Sequence, residues 1–196
     1  MATLSDKEAF EIAYEEAKKG FEEGGVPIGA ALVSADGKLM GSGRNLRVQS
    51  GSAIHHGETS ALFNSGRRPA GDYKGPLFLL PSFLSFFPTR LGTDIPLSLP
   101  PPPSPTGSTM YTSLSPCDMC TGACLLYGVG RVVIGENRTF LGGEAYLKQR
   151  GVEVVVLDDP RCKALMDAFI EKSPDLWNED IGVEEHTRVK AGTIEA

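Results

Sequence analysis

Two short clusters of metal-ligating residue types stand far apart in the chain: His56-Gly57-Glu58, and Pro116-Cys117-Asp118-Met119-Cys120. Any fold that uses both must bring two helix starts to one point. Cys117 and Cys120 are three residues apart at a helix start, so both thiolates can face the same way. The positive helix N-terminus stabilises thiolate charge. His56 begins another helix and supplies a third ligand. Zinc prefers tetrahedral nitrogen and sulfur ligands and, when it is catalytic, keeps one position open for water. Bound zinc lowers the pKa of that water toward ~7. Glu58 lies close to the metal without being needed as a ligand, so it can accept the water proton and pass it on. A lone Cys-x-x-Cys could equally be a redox pair or a structural zinc knuckle. The upstream His-x-Glu and the proline directly before Cys117 favour catalytic zinc.

The neighbouring residues have plainer readings. His55 competes with His56, but the spacing to Glu58 favours His56. Cys124 follows Cys120 by one helical turn and reads as a small buried core residue; as a fourth ligand it would close the site. Cys162 reads as packing within a late helix, and His186 as a solvated residue of a polar tail.

Hydrophobic periodicity places these residues on elements. Ser5 and Glu8 form a capping box, followed by Ala9, Ile12, Ala13 and Ala17 at helical spacing, with Gly24-Gly25 as the stop. Ile28 to Ser34 reads as a strand, Asp36-Gly37 as a tight turn and Lys38 to Gly43 as the returning strand. A helix is expected from about His56 to Asn64, ended by Gly66. Met110 to Leu114 reads as a strand, and Ser115-Pro116 opens a helix to about Tyr127. Arg131 to Ile134 and Val152 to Leu157 read as buried strands, the second covered on both faces. Pro160 to Lys172 reads as a helix broken by Ser173-Pro174. This order predicts an α/β protein with helices on both faces of one mixed sheet.

Composition narrows the class. The 196 residues are 41% hydrophobic and 22% charged, which excludes wholesale disorder and a disulfide-dense miniprotein. A net charge of −6 argues against a polyanion partner. Three of the four cysteines fall within eight residues, which suits metal ligation better than disulfides. With no secretory signal in Met1 to Glu8, a reducing cytoplasm, with the nucleus second, is the expected compartment. No membrane partner is expected.

Pro76 to Gly107 breaks the pattern. These 32 residues hold nine of the 14 prolines, and Arg90 and Asp94 are their only charges. Phe, Leu, Ser and Pro supply 24 of the 32, residues encoded largely by codons with pyrimidines in the first two positions. The segment is too broken by proline for a membrane span and long for a structureless loop. A retained or mis-annotated intron is the working hypothesis; a genuine low-complexity loop is the alternative. A spliced transcript that still encodes the segment would end the first idea. The expected organisation is one domain over residues 1–182, interrupted at 76–107, with a polar tail over 183–196.

The His-x-Glu and Pro-Cys-x-x-Cys pairing is the signature of zinc deaminases. Outside the interruption, Ile12 to Gly182 closely resembles the fungal, yeast-type cytosine deaminases. The resemblance rests on Ala13-Tyr14-Glu15-Glu16-Ala17, on Glu23 to Gly29 (EGGVPIG) and on Leu114 to Ala123 (LSPCDMCTGA). It continues in Gly135-Glu136-Asn137, in Tyr146 to Gly151 and in Trp177 with Glu179 to Gly182. It implies a three-layer α/β/α sandwich with a five-stranded mixed sheet, a homodimer with one zinc per subunit, and conversion of cytosine to uracil and ammonia in pyrimidine salvage. Zinc-activated hydroxide would attack C4, with Glu58 as proton shuttle.

By the same resemblance His56, Cys117 and Cys120 match the zinc ligands. Asn45 matches a hydrogen bond to the pyrimidine carbonyl edge, and Asp180 a contact at the far side of the ring. Phe140 and Trp177 match aromatic walls and Ile28 an apolar one. The Gly57 N–H and the Ser115 carbonyl match polar contacts of the pocket. In that family only a few residues separate Lys74 from the Met110 strand. Asn178 departs from the pattern, which has an aromatic there, and the tail runs past the usual end.

Two rival readings share these features. One is a tRNA adenosine deaminase, or another nucleobase or nucleotide deaminase; the RNA version would want basic and stacking residues near the site, and no Lys/Arg cluster is seen there. The other is a zinc-stabilised, catalytically impaired isoform disrupted by the interruption.

Overall fold

A computed structural model of the protein describes residues 3–74 and 107–182. The proline-rich block up to residue 106, the tail from 183 and His186 within it lie outside the described residues.

Five strands form one sheet in the order β2-β1-β3-β4-β5. They are β1 (Gly29–Val33), β2 (Leu39–Arg44), β3 (Thr109–Leu114), β4 (Arg131–Glu136) and β5 (Glu153–Val156). β1 runs antiparallel to both β2 and β3, while β3, β4 and β5 are mutually parallel. The helices in chain order are α1 (Asp6–Glu22), α2 (Arg47–Ser50), α3 (Gly57–Ser65), α4 (Ala70–Lys74), α5 (Asp118–Tyr127), α6 (Glu144–Gln149), α7 (Pro160–Lys172) and α8 (Pro174–Asp180).

The two faces of the sheet follow from strand periodicity. Ala30, Leu32, Met110, Val132 and Ile134 point to one side and pack with Ala61 of α3, Cys124 of α5 and Leu147 of α6. Ala31, Val33, Tyr111 and Val133 point to the other, against Ala9, Phe10 and Ala13 of α1 and Cys162 of α7. The fold is therefore the three-layer α/β/α sandwich anticipated. Cys124 and Cys162 are buried packing residues, as expected.

Two close approaches set the helices that matter. The Ser5–Glu8 capping box starts α1, whose small residues let it lie directly on β1. A Cβ on Gly29 would meet Ala13 O and Ala17 N at 2.3 Å. α3 is seated equally closely on β2: a Cβ on Gly41 would meet Ala61 O at 2.5 Å, and one on Gly43 the Ser60 Cβ at 2.6 Å.

Three sequence readings need correction. β5 is covered only in part: it is an edge strand bonded only to β4, its half-buried Val154 and Val155 pack on the two opposite cores, and Val156 is 37% exposed. Ser173-Pro174 ends α7 but at once begins α8, because Pro is well placed in a first helical turn. Trp177 and Asp180 thus sit on a helix. Finally, α5 begins at Asp118, two residues later than Pro116 would suggest, with Cys117 as its N-cap.

Gly107 belongs to the domain rather than to the interruption. It is buried with a φ of 140°, and a Cβ there would sit 3.2 Å from Tyr73 O. The next residue donates its N–H to that carbonyl: Ser108 N to Tyr73 O is 2.7 Å. The chain leaves the domain and re-enters it at one point.

Candidate metal and active site

The C-terminal ends of β3 and β4 and the start of β1 frame the site, and the N-termini of α3 and α5 converge there. His56 is the N-cap of α3. Its N–H donates to Thr59 Oγ1 at 2.9 Å, and the Thr59 hydroxyl donates in turn to the Ile54 carbonyl, which pins the imidazole at the helix start. Cys117 caps α5, and Cys120 lies one turn in, almost fully buried.

His56, Cys117 and Cys120 present ligand atoms all within 4.8 Å of one another. His56 Nδ1 and Cys117 Sγ are 3.5 Å apart. Two such atoms bound to one tetrahedral zinc would stand roughly 3.6 Å apart, so the group fits the ion. Protonation tells the same story. The Cys120 thiol, hydrogen-bonded to Cys117, together with His56 brings the Cys117 thiol down to about 4. Cys120 is driven well above the usual thiol range by that same bond and by burial. Ligation needs both sulfurs deprotonated, so metal binding would release a proton from this pair. Burial pulls the His56 imidazole down, but the bond to Cys117 and the Asp180 charge outweigh it and leave the pKa raised.

A small, narrow cavity opens beside these ligands. Glu58 and Asp180 reach it from α3 and α8, Ser115 and Phe140 from the ends of β3 and β4, and Ile28 and Trp177 complete its apolar walls. The Phe140 and Trp177 rings meet edge to face, 6.2 Å between centroids at 88°, a favoured aromatic arrangement. Glu58 is 2% exposed, and burial raises its carboxyl above the ordinary range.

Asn45 and Gly57 stand behind the wall rather than in it. Asn45 is fully buried; its Nδ2 donates to Asp180 Oδ1 at 2.8 Å and its Oδ1 accepts from Arg47 N at 3.0 Å. Gly57 packs on β1, where a Cβ would meet Ile28 O at 3.1 Å. Asp180 is held further by Arg47, whose Nε lies 3.4 Å from Asp180 Oδ1 while its Nη2 lies 2.8 Å from Glu179 Oε1. Burial raises the Asp180 carboxyl. His56 Nε2 is 3.7 Å from Asp180, so one imidazole nitrogen faces the cysteines and the other a carboxylate. Carboxylate partners of this kind commonly orient metal-bound histidines. His55 turns away and stacks on Phe63, 5.3 Å between centroids.

Several contributors were not legible beforehand. Leu114 and Ile181 line the cavity. Thr112 Oγ1 lies 2.9 Å from Glu58 Oε1. The buried Glu144 accepts from the Ser115 hydroxyl at 2.9 Å and from Asn137 Nδ2 at 3.1 Å, and Ser115 Oγ accepts from Gly142 N at 3.0 Å. Glu136 Oε2 accepts from the N–H groups of Arg138 and Thr139. Two buried carboxylates therefore brace the loop that carries Phe140. Glu144 directly follows Gly142-Gly143 and has no spacing to Ser115 that a sequence could reveal.

With this geometry in hand, comparison places the chain. It belongs to the family described as the cytidine and deoxycytidylate deaminase zinc-binding region, which matches residues 4–136. It is 45% identical over 180 residues to the cytosine deaminase of Candida albicans, covering 92% of this chain and 99% of that one. A tRNA-specific adenosine deaminase of Bacillus subtilis is 30% identical over 170 residues, 82% of this chain and 85% of that one. A solved guanine deaminase from Nitrosomonas europaea superposes with a TM-score of 0.57 at 22% identity, covering 86% of each chain, which shows a shared fold.

Proposed function

We propose that the protein is a zinc-dependent cytosine deaminase, a hydrolase converting cytosine and water to uracil and ammonia. The observation that carries this is one small cavity lined by His56, Cys117, the buried Glu58 and Asp180 between the Phe140 and Trp177 rings, with Cys120 completing a three-ligand zinc cluster beside it. The end-to-end likeness to a cytosine deaminase supports the choice of base. Zinc held by His56, Cys117 and Cys120 would supply Lewis acidity and an acidic water. Glu58 is placed to accept a proton from the attacking water and hand it to ring N3 as the C4–O bond forms, and then to move the proton of the new C4 hydroxyl to the amine as the C4–N bond breaks, which leaves uracil and ammonia. Phe140, Trp177 and Ile28 sandwich the ring. Ser115 and Asp180 supply polar contacts to the ring, and Asn45 and Gly57, which the resemblance matches to substrate contacts, stand behind the wall, where Asn45 holds Asp180. Arg47 keeps α8 against the cavity and excludes water.

The domain closes without the interruption. Joining Lys74 to Gly107 would make Tyr73-Lys74-Gly107-Ser108 a four-residue turn whose first carbonyl and fourth N–H are already bonded, with glycine third as a type II turn prefers. The deciding experiment pairs the full chain with a variant lacking residues 75–106, each given cytosine, cytidine and adenine. Ammonia from cytosine in both makes the segment a tolerated insertion. Ammonia only from the deletion form assigns the function to a spliced product. Zinc-loaded protein that leaves cytosine untouched refutes the substrate.

The family resemblance also leads us to a homodimer. Ile54, Phe63 and Leu126 are 62%, 70% and 75% exposed on or beside the contacting helices α3 and α5, apolar side chains that a second subunit would cover. Light scattering should give twice the chain mass; a monomer at micromolar concentration would refute it. All four cysteines are free thiols, consistent with a reducing cytoplasm and a role in pyrimidine salvage, which fractionation and growth on cytosine would test. Among the described residues, no helix is long and apolar enough to cross a membrane.

A further inference from the structure

We infer that Thr112 is a positioning residue for Glu58: its hydroxyl holds one carboxylate oxygen in place and leaves the other for proton transfer. The inference rests on the reading of Glu58 as the proton carrier. Thr112 lies in β3, the middle strand of the sheet, paired with Ala30 on one side and Ile134 on the other. It is fully buried, and the residues two before and two after it on the same face are Met110 and Leu114. A strand covered on both faces ordinarily carries valine or isoleucine at such a place. A buried hydroxyl there is costly unless it is bonded.

Its bonds point to a purpose. Thr112 Oγ1 is 2.9 Å from Glu58 Oε1 and 3.0 Å from the Leu114 carbonyl. The hydroxyl has one hydrogen and two acceptors in reach. Packing alone needs neither, and the Leu114 carbonyl alone would not place the oxygen against Glu58. The second acceptor gives the hydroxyl a partner whichever way the carboxylate turns. Glu58 reaches the cavity from the first turn of α3 through a side chain with several free torsions. Backbone packing of α3 on β2 fixes where that side chain begins; Thr112, from a different layer, fixes where one end of it stops. Proton transfer demands that placement, since small displacements of a reacting group cost large factors in rate.

The test compares Thr112→Val, which keeps the shape and removes the hydroxyl, with Thr112→Ser, which keeps the hydroxyl. Thr112→Val should lower kcat about tenfold or more, with KM within roughly twofold, full zinc and an undiminished melting temperature. Thr112→Ser should recover most of kcat. If Thr112→Val folds poorly, Thr112→Ser against Thr112→Ala asks the same question. Equal kcat across either pair overturns the inference, as does a loss confined to stability. A readout independent of turnover is the infrared carboxylate band that disappears in Glu58→Gln. It should shift in Thr112→Val and return in Thr112→Ser. An unmoved band overturns the contact even in a protein that deaminates nothing, whereas a shifted band without any turnover removes the deaminase reading and with it the role in catalysis.

Discussion

Glu58→Gln is expected to keep its zinc and lose turnover by roughly 10²–10⁴-fold, the range that general acid–base groups contribute. Glutamine has nearly the same shape and can still accept from Thr112 at Oε1, so the wall of the cavity should stand. What disappears is a group that can take a proton and give it back. The melting temperature should hold or rise, since a carboxyl buried to 2% exposure is replaced by a neutral amide. Metal analysis, ammonia release and thermal unfolding on one preparation check all three. Retention of more than a few per cent of activity at full zinc would remove Glu58 from the proton path.

Cys120→Ala should be the more damaging change, abolishing turnover and zinc content together. Cys120 is 1% exposed and completes the only three-ligand cluster found among the described residues. Without it two ligands remain, too few to hold zinc in a site that must keep a position open for water. Stability should fall as well, because an ion bound only by the folded state stabilises it by about 4 kcal/mol at a thousand times its Kd. In a chain of this size that is a drop on the order of 10 °C in Tm. Wild-type protein treated with a chelator should melt at the same lowered temperature. Cys124→Ala is the matching control: one turn further along α5, in the core with Ala61 and Val132, it should keep zinc and activity and lose only about 1 kcal/mol of packing. Zinc loss in Cys124→Ala, or zinc retention in Cys120→Ala, would redraw the ligand set.

The zinc ligands and Glu58 were legible because their chemistry is written at fixed short spacings, at positions where local signals start helices. The strands β1, β3 and β4 were legible for a related reason: their apolar runs bury both faces in the middle of the sheet. β5 has the same kind of run and was misjudged. Val152 to Leu157 looks no different from a central strand, but among the described residues it pairs with β4 alone and Val156 is left exposed. The helix α8 was hidden by its first residue, since a proline after Ser173 reads equally as a break or as a first turn.

The sequence by itself marked the three residues that could hold zinc, the Glu58 beside them, the alternation of helices and strands, and the foreign composition of the block after Gly75. These follow from residue type, period and short-range spacing. Only the tertiary structure decided how the pieces are tied together. Asn45 bonds to Asp180 across 135 positions and Thr112 to Glu58 across 54. Ser115 is locked to Glu144, and Tyr73 meets Ser108 across the whole interruption. No local propensity encodes such pairs. They exist because packing the helices against both faces of one sheet leaves each buried polar group a single place to find its partner.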